Sequence, residues 1–157
     1  MDKNQAVIDY LLTCDGIRDS TLYFNFVNAK DGAIQFLPLS SDRSVQKPYI
    51  DGSVEKRYQI TIQDFRSISD NPLVKSFTTN ENVADFQDVQ TLIDWINEQN
   101  EIRRFPDFGE DCVIDSIAAT SDTPRLDQID ATVSPALARY SITITINYLD
   151  ISKRNWK

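Results

Sequence analysis

The chain has 157 residues, 41% of them hydrophobic and 25% charged, with a formal net charge of −8, which fits one domain with a core of its own. No stretch approaches the ~18 apolar residues of a membrane-spanning helix, and so acidic a protein is poorly suited to holding phosphate backbones. It has no histidine, which removes the commonest general base and the commonest metal ligand together.

The opening "MDKNQAVIDYLL" has no basic leader, apolar signal core or small-residue cleavage site, so a protein made and kept in a cytoplasm is expected. Residues 4–14 read as a helix, with Ala6, Val7, Tyr10, Leu11 and Cys14 on one stripe and Gly16 as its stop. "TLYFNFV" (21–27) and "AIQFLPL" (33–39) predict a hairpin closed through Asp31-Gly32, the second strand ending at Pro38 or lying at a sheet edge. Residues 40–55 are polar and predict an ordered extension or a mobile loop. "KRYQITIQDF" (56–65) alternates as a strand until Asp64-Phe65, which breaks the pattern as a bulge would.

The apolar stripe Val83, Phe86, Val89, Leu92, Ile93 and Ile96 predicts a helix over 83–100, with Trp95 beside the stripe. "CVIDSIAAT" (112–120) reads as a strand, and the proline-containing stretch after it as a loop up to residue 138. "RYSITITINYLDI" (139–151) is the cleanest strand, with Tyr140, Ile142, Ile144, Ile146 and Tyr148 on one side. Strands with one apolar face and two amphipathic helices predict a single α+β domain: a mostly antiparallel sheet, two main helices packed on one face, and a hairpin or loop extension.

Catalytic signatures are scarce. There is no zinc-type cysteine pair, and Cys14 and Cys112 are expected as reduced thiols. The glycines at 16, 32, 52 and 109 are too scattered for a phosphate loop. No cofactor or metal site is expected. A small carboxylate-dependent enzyme would have to rely on Glu110, Asp111 and Asp115, converging in a deep pocket.

Charge is unevenly placed. Seven acids (Asp107, Glu110, Asp111, Asp115, Asp122, Asp127, Asp130) meet one base, Arg125, in 107–130, whereas 139–157 holds Arg139, Lys153, Arg154 and Lys157 against Asp150. These stretches are a solvated face and a basic tail, or complementary patches on copies of one protein. The segment "RRFPDFGED" (103–111) has two readings as well. It is a helix end stopped before Pro106, with the phenylalanines covering the core and arginines at the negative end of the helix dipole. Or Arg103, Arg104, Phe105 and Phe108, with Asp111, form a head-to-tail subunit contact, since Arg and aromatics are enriched in such interfaces.

"DWINEQNEIRRFPDFGEDC", with "KRYQITI" before it and "RYSITITINYL" after it, resembles the tail terminator group of long-tailed bacteriophages of Gram-positive hosts, tail completion proteins often labelled "minor capsid protein". The resemblance covers roughly residues 56–150. It implies a hexameric ring in the virion, on the head-proximal end of the tail tube, that stops tail polymerisation and meets the head connector. The implied partners are further copies of the chain, the major tail protein and a head-completion or connector protein, with DNA only as passing cargo and no membrane. An acidic lumen would repel that DNA. On this reading Arg43, Lys47 and Tyr49 of the polar loop reach a neighbouring subunit or the tube. Replacing Arg104 by Glu and Phe108 by Ala together is expected to weaken the ring and leave the monomer folded. A head-completion or neck protein on the other side of the joint is the alternative, followed by a non-virion adaptor and the enzyme.

Overall fold

The spine of the molecule is a pair of strands more than twice the usual ~5–6 residues, β4 (Val54–Ser67) and β7 (Leu137–Asp150). The computed structural model describes residues 2–14, 21–24, 33–38, 45–67, 75–120, 123–130 and 137–154. The remaining elements are α1 (Lys3–Leu11), β1 (Thr21–Phe24), β2 (Ala33–Pro38), β3 (Val45–Pro48), α2 (Lys75–Glu101), β5 (Cys112–Ala119) and β6 (Arg125–Asp130).

β4 and β7 pair antiparallel from Val54↔Asp150 to Ser67↔Leu137 with no register shift. Strict alternation in both strands therefore gives the sheet two unlike faces. On one, Tyr58, Ile60 and Ile62 oppose Ile146, Ile144 and Ile142, all buried. On the other, Gln59 Nε2 donates to Thr145 Oγ1 at 3.2 Å and the Thr61 and Thr143 hydroxyls lie 3.1 Å apart. Each long strand is flanked by two short ones laid end to end: β2 and β3 along β4, β5 and β6 along β7.

Both helices cover the apolar face. Asp2 caps α1, its Oδ1 accepting from Asn4 N at 2.9 Å, which satisfies one of the amide groups a helix start leaves open. The predicted stripe then buries Val7, Tyr10, Leu11 and Cys14, while α2 buries Val89, Leu92, Ile93 and Ile96. One hydrophobic cluster joins both helices to the sheet, so the protein is α+β with its helices on one side. No helix among the described residues is long and apolar enough to cross a membrane.

Several expectations need correcting. β1 and β2 are not a hairpin: they run parallel, Thr21↔Ala33 to Phe24↔Phe36. A turn signal marks where a chain bends, and cannot say on which side, or in which sense, the strands then pair. Asp64-Phe65 is not a bulge, because the register with Tyr140 and Arg139 is unbroken. Asp64 faces the apolar side and is tolerated there because Arg66 grips both its oxygens, at 2.8 and 3.1 Å. The stretch 125–130 is a strand, not a loop. α2 starts at Lys75, well before 83, since adding turns to an established helix costs little. Most of the polar stretch is ordered: β3 pairs with the start of β4, and residues 49–53 turn between them. Gly16 and Arg43 lie outside the described residues.

Candidate functional site

The site grows from the end of α2. Arg104 N donates to Gln99 O at 2.9 Å and Arg103 N to Asn100 O at 3.2 Å. This paired pattern closes the helix with a left-handed residue, a position glycine usually fills. Here the residue is Arg103, with φ 58°, a conformation that crowds any Cβ. The left-handed step sends the two arginines to different places. Arg103 lines a cleft on the polar side of the sheet, and Arg104 lines a groove beside α1.

The stretch that follows is consumed by the core. Pro106 is buried, and Phe108, 6% exposed, sets its ring edge-on between Tyr58 and Tyr148 at 5.8 and 5.3 Å. Gly109 then takes φ 91°, its N–H donating to Asp107 Oδ1 at 2.9 Å. Phe108 is therefore withdrawn from any surface, and its assignment to a subunit contact is corrected: its ring is spent on packing. The double replacement of Arg104 and Phe108 would damage the monomer itself. Phe105 stays half-buried beneath the Arg103 guanidinium, 5.3 Å from it. Asp111 is exposed, and its carbonyl accepts from Ile151 N at 2.8 Å.

The cleft of Arg103 is about 310 Å³. Its floor is one row across the sheet, Glu55↔Leu149↔Val113. Tyr49 lies over that row with its hydroxyl on Glu55 Oε2 at 3.2 Å. This hydrogen bond, then partial burial, raises the Tyr49 phenol above its ordinary pKa. Asp115 is the extra residue of a bulge between Ile114 and Ser116. The bulge turns Asp115 outward and exposed, lets Ile117 and Ile114 both face the core side, and leaves an Ile117 N–H that Asn100 Oδ1 accepts at 3.0 Å. Tyr49, from the predicted loop contact, and Arg103, from the predicted subunit contact, thus meet at one place. Exposed Val113 supplies an apolar centre and Arg103 and Asp115 a charged rim, the make-up of a protein contact.

The groove of Arg104 is about 580 Å³ and mainly apolar, between α1 and residues 104–107. Tyr10 forms its base, tilted against Trp95 with centroids 5.1 Å apart and its hydroxyl donating to Arg104 O at 2.9 Å. Burial pushes that phenol well above its usual range, the nearby Arg104 opposing.

Sequence reasoning missed this groove and missed Ile50. Ile50 sits at the tip of the β3–β4 turn with its side chain fully exposed. The apolar Tyr49-Ile50 immediately before Asp51-Gly52 was the available signal. Lys47 is exposed, its ammonium 5.1 Å from the Tyr49 ring. The three carboxylates offered as a catalytic group do not share a cleft: Asp115 lines that of Arg103, while Glu110 and Asp111 are exposed and line none described. Among the described residues, no group of three or more His, Cys, Asp or Glu is placed to hold a metal ion. Cys14 is buried and Cys112 half-buried, and neither is in a disulfide. No protein-family model matches the chain, and no curated protein matches it.

Proposed function

We propose that the chain is a bacteriophage structural protein that caps the head-proximal end of the tail tube as a ring, six-membered by resemblance, stopping tail polymerisation and forming part of the head–tail joint. The observation that supports this most is the cleft of Tyr49, Val113 and Arg103. Three distant parts of the chain build a surface with an apolar centre and charged rim, suited to contact with protein. The stretches that carry the resemblance are β4, the α2 end with its turn, and β7, which together form the spine and frame that cleft. Function then lies in shape and contact, with the major tail protein, the connector and sister copies as partners.

The test is an early stop codon in this gene of the parent phage, with tail lengths measured by electron microscopy. Tails of variable, excessive length beside tailless filled heads are expected. Tails of normal length, detached from heads that leak DNA, would move the protein to the head side of the joint. Wholly normal virions would end the structural reading.

A further inference from the structure

The turn between β3 and β4 is built to hold a bare isoleucine in place. Tyr49 N donates to Ser53 O at 2.9 Å and Gly52 N to Tyr49 O at 3.1 Å. Asp51 Oδ1 accepts from Ser53 N at 2.9 Å, and Asp51 Oδ2 meets Arg154 Nε at 3.1 Å. A Cβ on Gly52, φ 90°, would overlap Lys153 O, so the turn is pressed against the segment after β7. The Asp51 carboxyl is held below its ordinary pKa, first by the Ser53 hydroxyl and amide, with Arg154 adding to them. Ile50 crowns this rigid turn at 103% relative exposure, the highest among the exposed large hydrophobics described. Such a side chain gains nothing from the fold of its own chain. Because the turn is already ordered, little entropy would be lost when it docks.

Of the acids closest to the tip, Asp51 and Glu55 are half-buried and hydrogen-bonded, to Ser53 and Tyr49, while exposed Asp115 lies across the cleft. Asp51 is matched by Arg154, leaving Lys47 and Lys153 exposed beside Ile50. The groove beside α1 has the complementary character. Ala6, Tyr10, Phe105 and Pro106 make an apolar lining. Exposed Asp2, Asp9 and Asp107 stand on its rim against the single cation Arg104. Among the described residues no cation lies within ion-pair distance of those three carboxylates. At about 580 Å³ the groove has room for the tip of a hairpin and not merely one side chain.

We infer that the Ile50 hairpin tip of one copy seats in the α1 groove of the next, with Lys47 and Lys153 set against Asp2, Asp9 and Asp107. Tip and groove are different surfaces of the chain, so the contact is heterologous: every copy offers one of each, and repetition closes a ring or continues as a filament. The opposite charges steer the approach and disfavour tip-to-tip encounters. The inference gives the ring reading a specific joint, and it rests on that reading for the ring's biological place but not for the contact itself.

Sedimentation velocity over a concentration series decides it, using the full chain and two variants, Ile50→Asp and the groove-rim pair Gln5→Arg with Asp9→Lys. Both alter exposed side chains, and circular dichroism confirms that each remains folded. The wild type is expected to form a closed oligomer. Each variant alone is expected to stay monomeric, its association midpoint raised at least about tenfold. An equimolar mixture of the two variants is expected to form a dimer and stop there, because one intact tip meets one intact groove. A mixture that fails to dimerise, or an Ile50→Asp chain that assembles like the wild type, overturns the joint and assigns the tip to another partner. A wild type that stays monomeric up to millimolar protein also overturns it. In that case the cap reading still stands or falls on tail lengths, which do not depend on this contact.

Discussion

Two short segments carry aromatic and aliphatic side chains outside the helices and strands, and the fold treats them in opposite ways. Residues 103–109 close α2 and hand Pro106 and Phe108 to the core. Residues 49–53 close β3 onto β4 and keep Tyr49 and Ile50 outside, at 42% and 103% exposure. The first segment has a cavity to fill, between Tyr58 and Tyr148. The second sits at the far end of the β4–β7 pair, past Val54↔Asp150, and neither Tyr49 nor Ile50 belongs to the hydrophobic cluster. An apolar residue in a turn is therefore a core plug or a contact according to what lies beneath the turn. Residue type alone does not distinguish the cases.

The sharpest way to break this comparison is to truncate both residues. Phe108→Ala is expected to cost about 3–5 kcal/mol in urea denaturation, because it empties a close-packed site between two rings. Ile50→Ala is expected to change the monomer by less than about 0.5 kcal/mol, as exposed sites do. Equal losses would mean that the hairpin tip is also packed. Next in size is Gly52→Ala. Its Cβ would overlap the Lys153 carbonyl, and its backbone is left-handed, so about 2 kcal/mol or more should be lost. A neutral result would show that the turn is not pressed on residues 151–154.

The spine was legible because period two in both long strands admits one reading. Part of what was not legible traces to bulges. In β5 the bulge at Asp115 brings Ile114 and Ile117, three positions apart, to one face, and in β6 the register shifts between Leu126 and Gln128. Such a shift breaks the period of two, which is why 125–130 reads as a loop. The direction of β1 was hidden because apolar alternation is the same in parallel and antiparallel strands. In the candidate site, Arg103, Phe105 and Tyr49 stood out by type. That Tyr49 meets Arg103 follows from the cross-sheet row Glu55↔Leu149↔Val113, a register that no local pattern encodes. The parting of Arg103 from Arg104 follows from a single φ.

The hairpin end also has a pH signature. Burial raises the Asp150 carboxyl, but hydrogen bonds from the Lys56 ammonium at 2.8 Å and from Ser152 outweigh it and bring its pKa down to about 2. A carboxyl that titrates lower in the folded chain than in the unfolded one stabilises the fold fully above its unfolded value near 3.8, and that contribution fades as pH falls through about 2. With both side chains about a fifth exposed, solvent screening leaves about 1 kcal/mol. Asp150→Asn should remove that increment at neutral pH and flatten the stability profile between those two values. A profile parallel to the wild type's would mean that the pair contributes nothing.

A small expected effect of opposite sign separates folding from assembly at the helix end. Arg103 is held left-handed where glycine would sit without strain. Arg103→Gly should relieve about 1 kcal/mol of crowding and give part of it back through the freer unfolded chain, for a net gain of about 0.5 kcal/mol. It also removes the guanidinium from the cleft of Tyr49 and Val113. Within the chain the guanidinium meets only the Asp115 carbonyl, at 3.5 Å, and the Phe105 ring among the contacts described, so the variant weighs those contacts against the strain. A variant that is more stable yet assembles less well would assign the guanidinium to a contact outside the monomer. A less stable one would mean that the Arg103–Phe105 stack, 5.3 Å from guanidinium to ring, outweighs the strain, leaving the helix end with a purely internal role.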